Sequence, residues 1–266
     1  ESQISRVQLQ PEKQNFVPIE EFLAYLTAQQ ISNPSLSSLY SLNAARIDFV
    51  PYQLRPVLKF IRSDRPRMLI ADGVGVGKTI EAGLILREIQ ARRDVRSIMI
   101  ICPKPLVAEK KWEMEMKRFE ETFVPLNGST LKYCLQELDM EGEWPETYQK
   151  CILPYSLLDE PLMFGTRQGQ KQKIPGLISM DPPPKFDLII VDEAHHIRHP
   201  STYAPQVVNY LVSNAEAALF LTATPIQMGN EDLFVLLNLL RPDLVIDKET
   251  FAHMVEPNPF INTAVT

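Results

Sequence analysis

Three clusters of polar residues each follow a short apolar run, and their types and spacing could do chemistry together. They are Asp72-Gly-Val-Gly-Val-Gly-Lys-Thr79, Asp192-Glu193 followed by His195 and His196, and Thr222-Ala-Thr224. In the first, Gly73, Gly75 and Gly77 let the backbone turn tightly, so that the loop around Val74 and Val76 presents N–H groups to anionic oxygens. A helix start behind the loop would add its partial positive charge. Lys78 would then reach the outer phosphates of a nucleoside triphosphate, and the Thr79 hydroxyl would hold Mg²⁺. The general phosphate-loop pattern has glycine five residues before Gly77; this chain has Asp72 there.

The second cluster supplies what a phosphate loop lacks. Mg²⁺ takes hard oxygen ligands and keeps several waters, so Asp192 could join Thr79 as a ligand directly or through water. Glu193 could orient and deprotonate the water that attacks the γ-phosphate. His195 could bridge the γ-phosphate to Thr222 and Thr224. His196 and His199 read as structural or exposed. No thiolate or third spaced ligand accompanies these histidines, which argues against zinc. Upstream, Gln53 beside Tyr52 can donate and accept at once, as the two-sided edge of adenine requires.

The elements that must position these groups are legible as buried strands and amphipathic helices. Continuous apolar runs before Asp72, over 97–102, over 188–191 and over 217–221 read as strands of a parallel sheet, and Lys150-Cys-Ile-Leu153 as another. Residues 80–92, 105–119, 203–213 and 231–240 read as helices. In an open parallel sheet, ligands sit beyond the carboxyl ends of the strands, so widely separated clusters can meet there. The expected fold class is therefore α/β, a mostly parallel sheet with helices on both faces. Residues 1–47 read as an arm and small accessory helices, opened by Pro18. Residues 159–185, rich in Gln, Lys, Gly and Pro, read as a flexible insertion with a positive patch at Arg167, Lys171 and Lys173.

Composition bounds the alternatives. The 266 residues suffice for one large domain or two small ones, and 45% hydrophobic with 23% charged residues is globular rather than disordered. A net charge of −6 excludes a uniformly basic nucleic-acid coat but allows a local basic groove. Lys104, Lys110, Lys111, Lys117 and Arg118 could form one, although Glu109, Glu113 and Glu115 interleave with them as on an ordinary solvated face. Three cysteines without paired spacing fit a reducing cytosol, and no apolar run approaches the ~18 residues of a membrane span.

Taken in order, Tyr52-Gln53, Asp72–Thr79, Asp192-Glu-Ala-His195 and Leu221-Thr-Ala-Thr-Pro225 resemble the motifs of superfamily-two helicases, and more narrowly the SWI/SNF-type ATPases. Thr79-Ile-Glu-Ala-Gly83 and the doubled histidine resemble the bacterial branch, which includes RNA-polymerase-associated motors and phage-defence translocases. The resemblance covers about residues 48–245. It implies a RecA-like first lobe that uses ATP and Mg²⁺ to move along duplex DNA without separating strands. Residues 246–266 would begin the connection to a second RecA-like lobe bearing an arginine finger. Such fingers contribute on the order of 10³–10⁵ in rate, so this lobe alone would bind nucleotide weakly and turn it over poorly. Ile101-Cys-Pro-Lys104 resembles the family's DNA-contacting motif and Tyr155-Ser-Leu-Leu158 the motif after it, which makes Lys104 and Tyr155 expected nucleic-acid contacts. Partners implied are duplex DNA and RNA polymerase or defence-system subunits, with a cytoplasmic location and no membrane. Where the family carries an acid after Asp72, this chain has Gly73, and Val76 replaces a leucine. Two other readings use the same motifs: an RNA-directed helicase lobe, and a nucleotide-gated interaction module that docks through 159–185.

Overall fold

The computed structural model describes residues 51–73, 75–168, 171–198, 202–223 and 229–255. The expected accessory helices before residue 47, Val74, His199, Thr224 and the segment after 255 lie outside these residues.

Helix α1 (Leu54–Ile61) leads to strand β1 (Arg67–Ile70), and the glycine loop then opens helix α2 (Lys78–Gln90). Gly77 caps α2 at φ 95, a left-handed conformation open to glycine without a Cβ penalty. Strand β2 (Ile98–Cys102) is fully buried and ends at Pro103. The single helix expected over 105–119 is instead two, α3 (Lys104–Ala108) and α4 (Lys111–Lys117). Lys110 sits between them at φ 55, which no right-handed helix accommodates. The break sends Trp112 and Met116 inward, at 1% and 0% exposure.

The next elements are β3 (Val124–Pro125) and α5 (Gly128–Glu141). The second of these has a signal in sequence: Asn127 and Thr130 form a reciprocal capping box at its start, and Gly142 closes it in the left-handed region. Strand β4 (Lys150–Pro154) follows. The insertion at 159–185 is not one structureless loop. It carries α6 (Glu160–Phe164), capped by the Asp159 carboxylate, and the antiparallel pair β5 (Thr166–Gln168) and β6 (Lys171–Ile174). The physical reason is apolar burial: Leu162, Met163, Leu177 and Met180 from this span all join the main core. Strand β7 (Leu188–Val191), α7 (Ala204–Ser213), β8 (Ala217–Leu221), α8 (Asn230–Leu240) and α9 (Lys248–Val255) complete the described chain.

Six strands form one sheet in the order β1-β8-β7-β2-β4-β3, every pair parallel. Successive strand residues face opposite sides. Ile98, Ile100 and Cys102 pack with Val57, Phe60, Leu84 and Trp112 on one face. Met99 and Ile101 pack with Leu131, Leu135, Leu211 and Leu236 on the other. With both faces covered, these strands must be apolar throughout, as the runs in the sequence are. Gly83 on α2 serves the first face, because a Cβ there would run into the Phe119 ring. The order places β1, β8 and β7 side by side. Their carboxyl ends release the glycine loop, Thr222 and Asp192-Glu193 at one rim.

Candidate functional site

At that rim Gly75, Gly77, Lys78 and Thr79 face Asp192 and Glu193 across a cleft of about 300 Å³. The other wall is helix α4 and its C-cap, which contribute Lys111, Glu115 and Arg118. Parallel register produces this meeting: Ile70 lies level with Leu221, and Val191 with Phe220.

The glycine loop is held from outside and from within. The Tyr52 hydroxyl donates to the Val76 carbonyl at 2.7 Å, and Gln53 Nε2 donates to the same oxygen at 3.1 Å. Gln53 is buried, and a Cβ at Gly77 would strike its amide, so the loop packs directly on this side chain. The Tyr52-Gln53 pair therefore anchors the loop in this structure. Lys78 Nζ donates to the Asp72 carbonyl at 2.8 Å and the Gly73 carbonyl at 2.7 Å.

Asp192 is buried, and each carboxylate oxygen has one protein donor. Trp112 Nε1 donates to Oδ2 at 2.8 Å, and the Glu193 N–H donates to Oδ1 at 2.9 Å. Burial raises its pKa above the ordinary value, and the indole hydrogen bond opposes that rise. Glu193 takes the left-handed region at φ 52. Its Oε2 lies 3.3 Å from His195 Nδ1, yet among the described residues neither atom has a hydrogen-bond partner. Thr222 is fully buried, and its hydroxyl oxygen also has no hydrogen-bond partner among the described residues. Unpartnered buried polar atoms are costly, and of these three residues Glu193 lines the cleft.

These residues fit Mg²⁺ and a triphosphate. Thr79 and Asp192 present hard oxygens to the same cleft. Among the described residues no group of three or more His, Cys, Asp or Glu could hold a metal, so phosphate oxygens and water would complete the shell.

Two expected nucleic-acid residues fare differently. Lys104 stands exposed at the start of α3. The Tyr155 hydroxyl is spent inside the fold, donating to the Asp192 carbonyl at 2.8 Å, and burial pushes its pKa well above the usual phenol. Tyr155 thus holds the backbone of the acidic turn. Reading the sequence alone also missed the cleft wall on α4. Lys111, Glu115 and Arg118 recur at helical spacing, but that spacing equally describes a solvated face. The indole contact across eighty positions leaves no local signal.

The sequence profile of the SNF2-related domain matches residues 34–263. The chain belongs to the SNF2-related family. Relatives within reach include the RNA polymerase-associated protein RapA of Vibrio atlanticus (strain LGP32), 32% identical over 234 residues, which are 86% of this chain and 22% of that protein. The RapA of Erwinia tasmaniensis is 35% identical over 221 residues, 81% of this chain and 20% of the relative. This SNF2-related chain thus spans about a fifth of the length of the curated relatives it matches. The Sulfolobus solfataricus SWI2/SNF2 ATPase core in complex with dsDNA has the same fold, with a TM-score of 0.57 at 21% identity, over 82% of this chain and 40% of that one. Among the described residues, no helix is long and apolar enough to cross a membrane.

Proposed function

We propose that this chain is the ATP-binding lobe of a motor that hydrolyses ATP with Mg²⁺ and moves along duplex DNA. The observation that carries the reading is the shared cleft of Lys78 and Asp192, far apart in sequence and joined at adjacent strand ends. Lys78 would leave the Asp72 and Gly73 carbonyls for the outer phosphates, while loop N–H groups and the start of α2 take the rest of the negative charge. Bound Mg²⁺ would neutralise phosphate charge from Thr79 and Asp192. Glu193 would accept a proton from the attacking water, with His195 beside its Oε2 to orient it. Tyr52 and Gln53 flank the loop where an adenine would stack and pair. Thr222 would supply a hydroxyl that has no hydrogen-bond partner among the described residues, and Thr224 is proposed to act with it.

Duplex DNA as the track is supported by family membership, by a neighbour solved with dsDNA and by exposed Lys104. RNA polymerase as a partner is supported by the relatives' names alone. A second RecA-like lobe would complete the engine. The test is ATP turnover of the chain joined to such a lobe, with duplex DNA, with single-stranded RNA and with neither. Duplex DNA should stimulate turnover, and Glu193→Gln should abolish it while retaining bound ATP. Stimulation by RNA alone would replace the duplex reading.

A further inference from the structure

Trp112 has no part in the chemistry above, yet its one polar atom touches the residue on which that chemistry turns. The indole is 1% exposed and donates to Asp192 Oδ2 at 2.8 Å. The chain's other tryptophan shows the ordinary solution for a packed indole: Trp144 Nε1 donates to a backbone carbonyl, that of Tyr148, at 2.9 Å. Trp112 spends its N–H on a carboxylate instead. The Glu193 N–H fixes the second oxygen, and the Tyr155 hydroxyl fixes the carbonyl behind it. Of these three holds, the indole alone fastens the carboxylate to another secondary element. That element is α4, whose Lys111 and Glu115 line the cleft together with Arg118 at its C-cap. A carboxylate free to rotate would lose that freedom on binding a cation, whereas one clamped through each oxygen offers its remaining lone pairs in a set direction.

We propose that Trp112 is a positioning residue for the metal, its indole N–H setting the Asp192 carboxylate and tying it to the α4 wall of the cleft. The inference rests on the ATP-site reading above. It assigns to a core tryptophan a role in metal affinity that burial alone would not give it.

The test uses both tryptophans. Trp144→Phe leaves one indole N–H in the chain, so a nitrogen-edited spectrum shows Trp112 as a single indole resonance. Mg²⁺ added with a non-hydrolysable ATP analogue should shift that resonance, and Asp192→Asn should remove the shift. In a second arm, Trp112→Phe keeps an aromatic ring but no donor. The Mg²⁺ concentration that half-saturates analogue binding should rise about 10–100-fold, while analogue affinity in EDTA stays the same. An unmoved indole resonance, or an unchanged Mg²⁺ requirement in a folded Trp112→Phe chain, overturns the proposal. If Trp112→Phe does not fold, the indole resonance decides alone. If the parent chain binds no analogue with or without Mg²⁺, the ATP-site reading itself fails. If the parent binds and the variant matches it, only the role of Trp112 fails.

Discussion

The Lys78 ammonium lies 2.7 Å from the carbonyl oxygen of Gly73, so the loop's own backbone holds its cation over the cleft. A second bond to the Asp72 carbonyl shares the load. On nucleotide binding the ammonium would exchange these carbonyls for phosphate oxygens, and a hydrogen bond between charged groups contributes about 1.5–3 kcal/mol. Lys78→Ala should therefore weaken nucleotide binding at least about tenfold, read by calorimetric titration. A variant that binds as tightly as its parent would remove Lys78 from the site.

Glu81 makes a separate prediction about stability. It is 1% exposed on the first turn of α2, and neither carboxyl oxygen has a partner among the described residues. Burial first, and the Asp72 charge second, raise its pKa from 4.5 to about 7, against the lowering influence of Lys78. The folded chain therefore keeps this proton where the unfolded chain has lost it. The ionisation of Glu81 costs nothing below pH 4.5, that cost grows as pH rises toward 7, and above that it is constant at about 3 kcal/mol. Urea melts from pH 5 to 8 should show this decline in the parent and a flatter profile in Glu81→Gln. Parallel profiles would contradict it.

The three cysteines should be silent in the folded chain. All are buried; burial raises the Cys102 and Cys134 thiols to about 12 and Cys151 well above the usual value. Thiolate is the reactive form. At pH 8 a thiol reagent should label none in the native state and three after denaturation. Rapid native labelling of any one would show that its face of the sheet opens.

Glu121 clasps the far side of the sheet. Its buried carboxylate accepts from Lys150 Nζ at 2.5 Å and Gln90 Nε2 at 2.9 Å, with Arg87 at 3.5 Å. Lys150 and Arg87 keep side-chain exposures of 32% and 24%, so water still reaches the cations left behind, and losing the charged hydrogen bonds costs about 1–2 kcal/mol. Glu121→Ala should lower stability by about that amount in denaturant melts and leave the rim cleft unchanged. A loss under about 0.5 kcal/mol would place the network in solvent.

Much of this was legible because the chemistry follows apolar runs. Ile98–Cys102, Leu188–Val191 and Ala217–Leu221 are uniformly apolar because both sheet faces are covered, and that pattern survives in one dimension. The clusters at Asp72, Asp192 and Thr222 were legible because each follows an apolar run that forms a strand, half-buried for β1 and fully buried for β7 and β8. Other features were not. The break at Lys110 depends on a backbone angle that lysine does not advertise. The ordered elements within 159–185 depend on Leu162, Met163, Leu177 and Met180 finding the core, a tertiary gain that local composition hides. The inward use of Tyr155 and the Trp112–Asp192 bond are long-range contacts, and spacing along the chain carries no trace of them.

The central claim is that Lys78 and Asp192 act on one ligand in one cleft. Equilibrium binding of ATP to the parent, Lys78→Ala and Asp192→Asn, each with Mg²⁺ and with EDTA, tests it most directly. The account predicts that Lys78→Ala weakens binding in both conditions, while Asp192→Asn weakens it only where Mg²⁺ is present. A parent that binds no ATP, or an Asp192→Asn chain whose Mg²⁺-dependent binding equals the parent's, would contradict it.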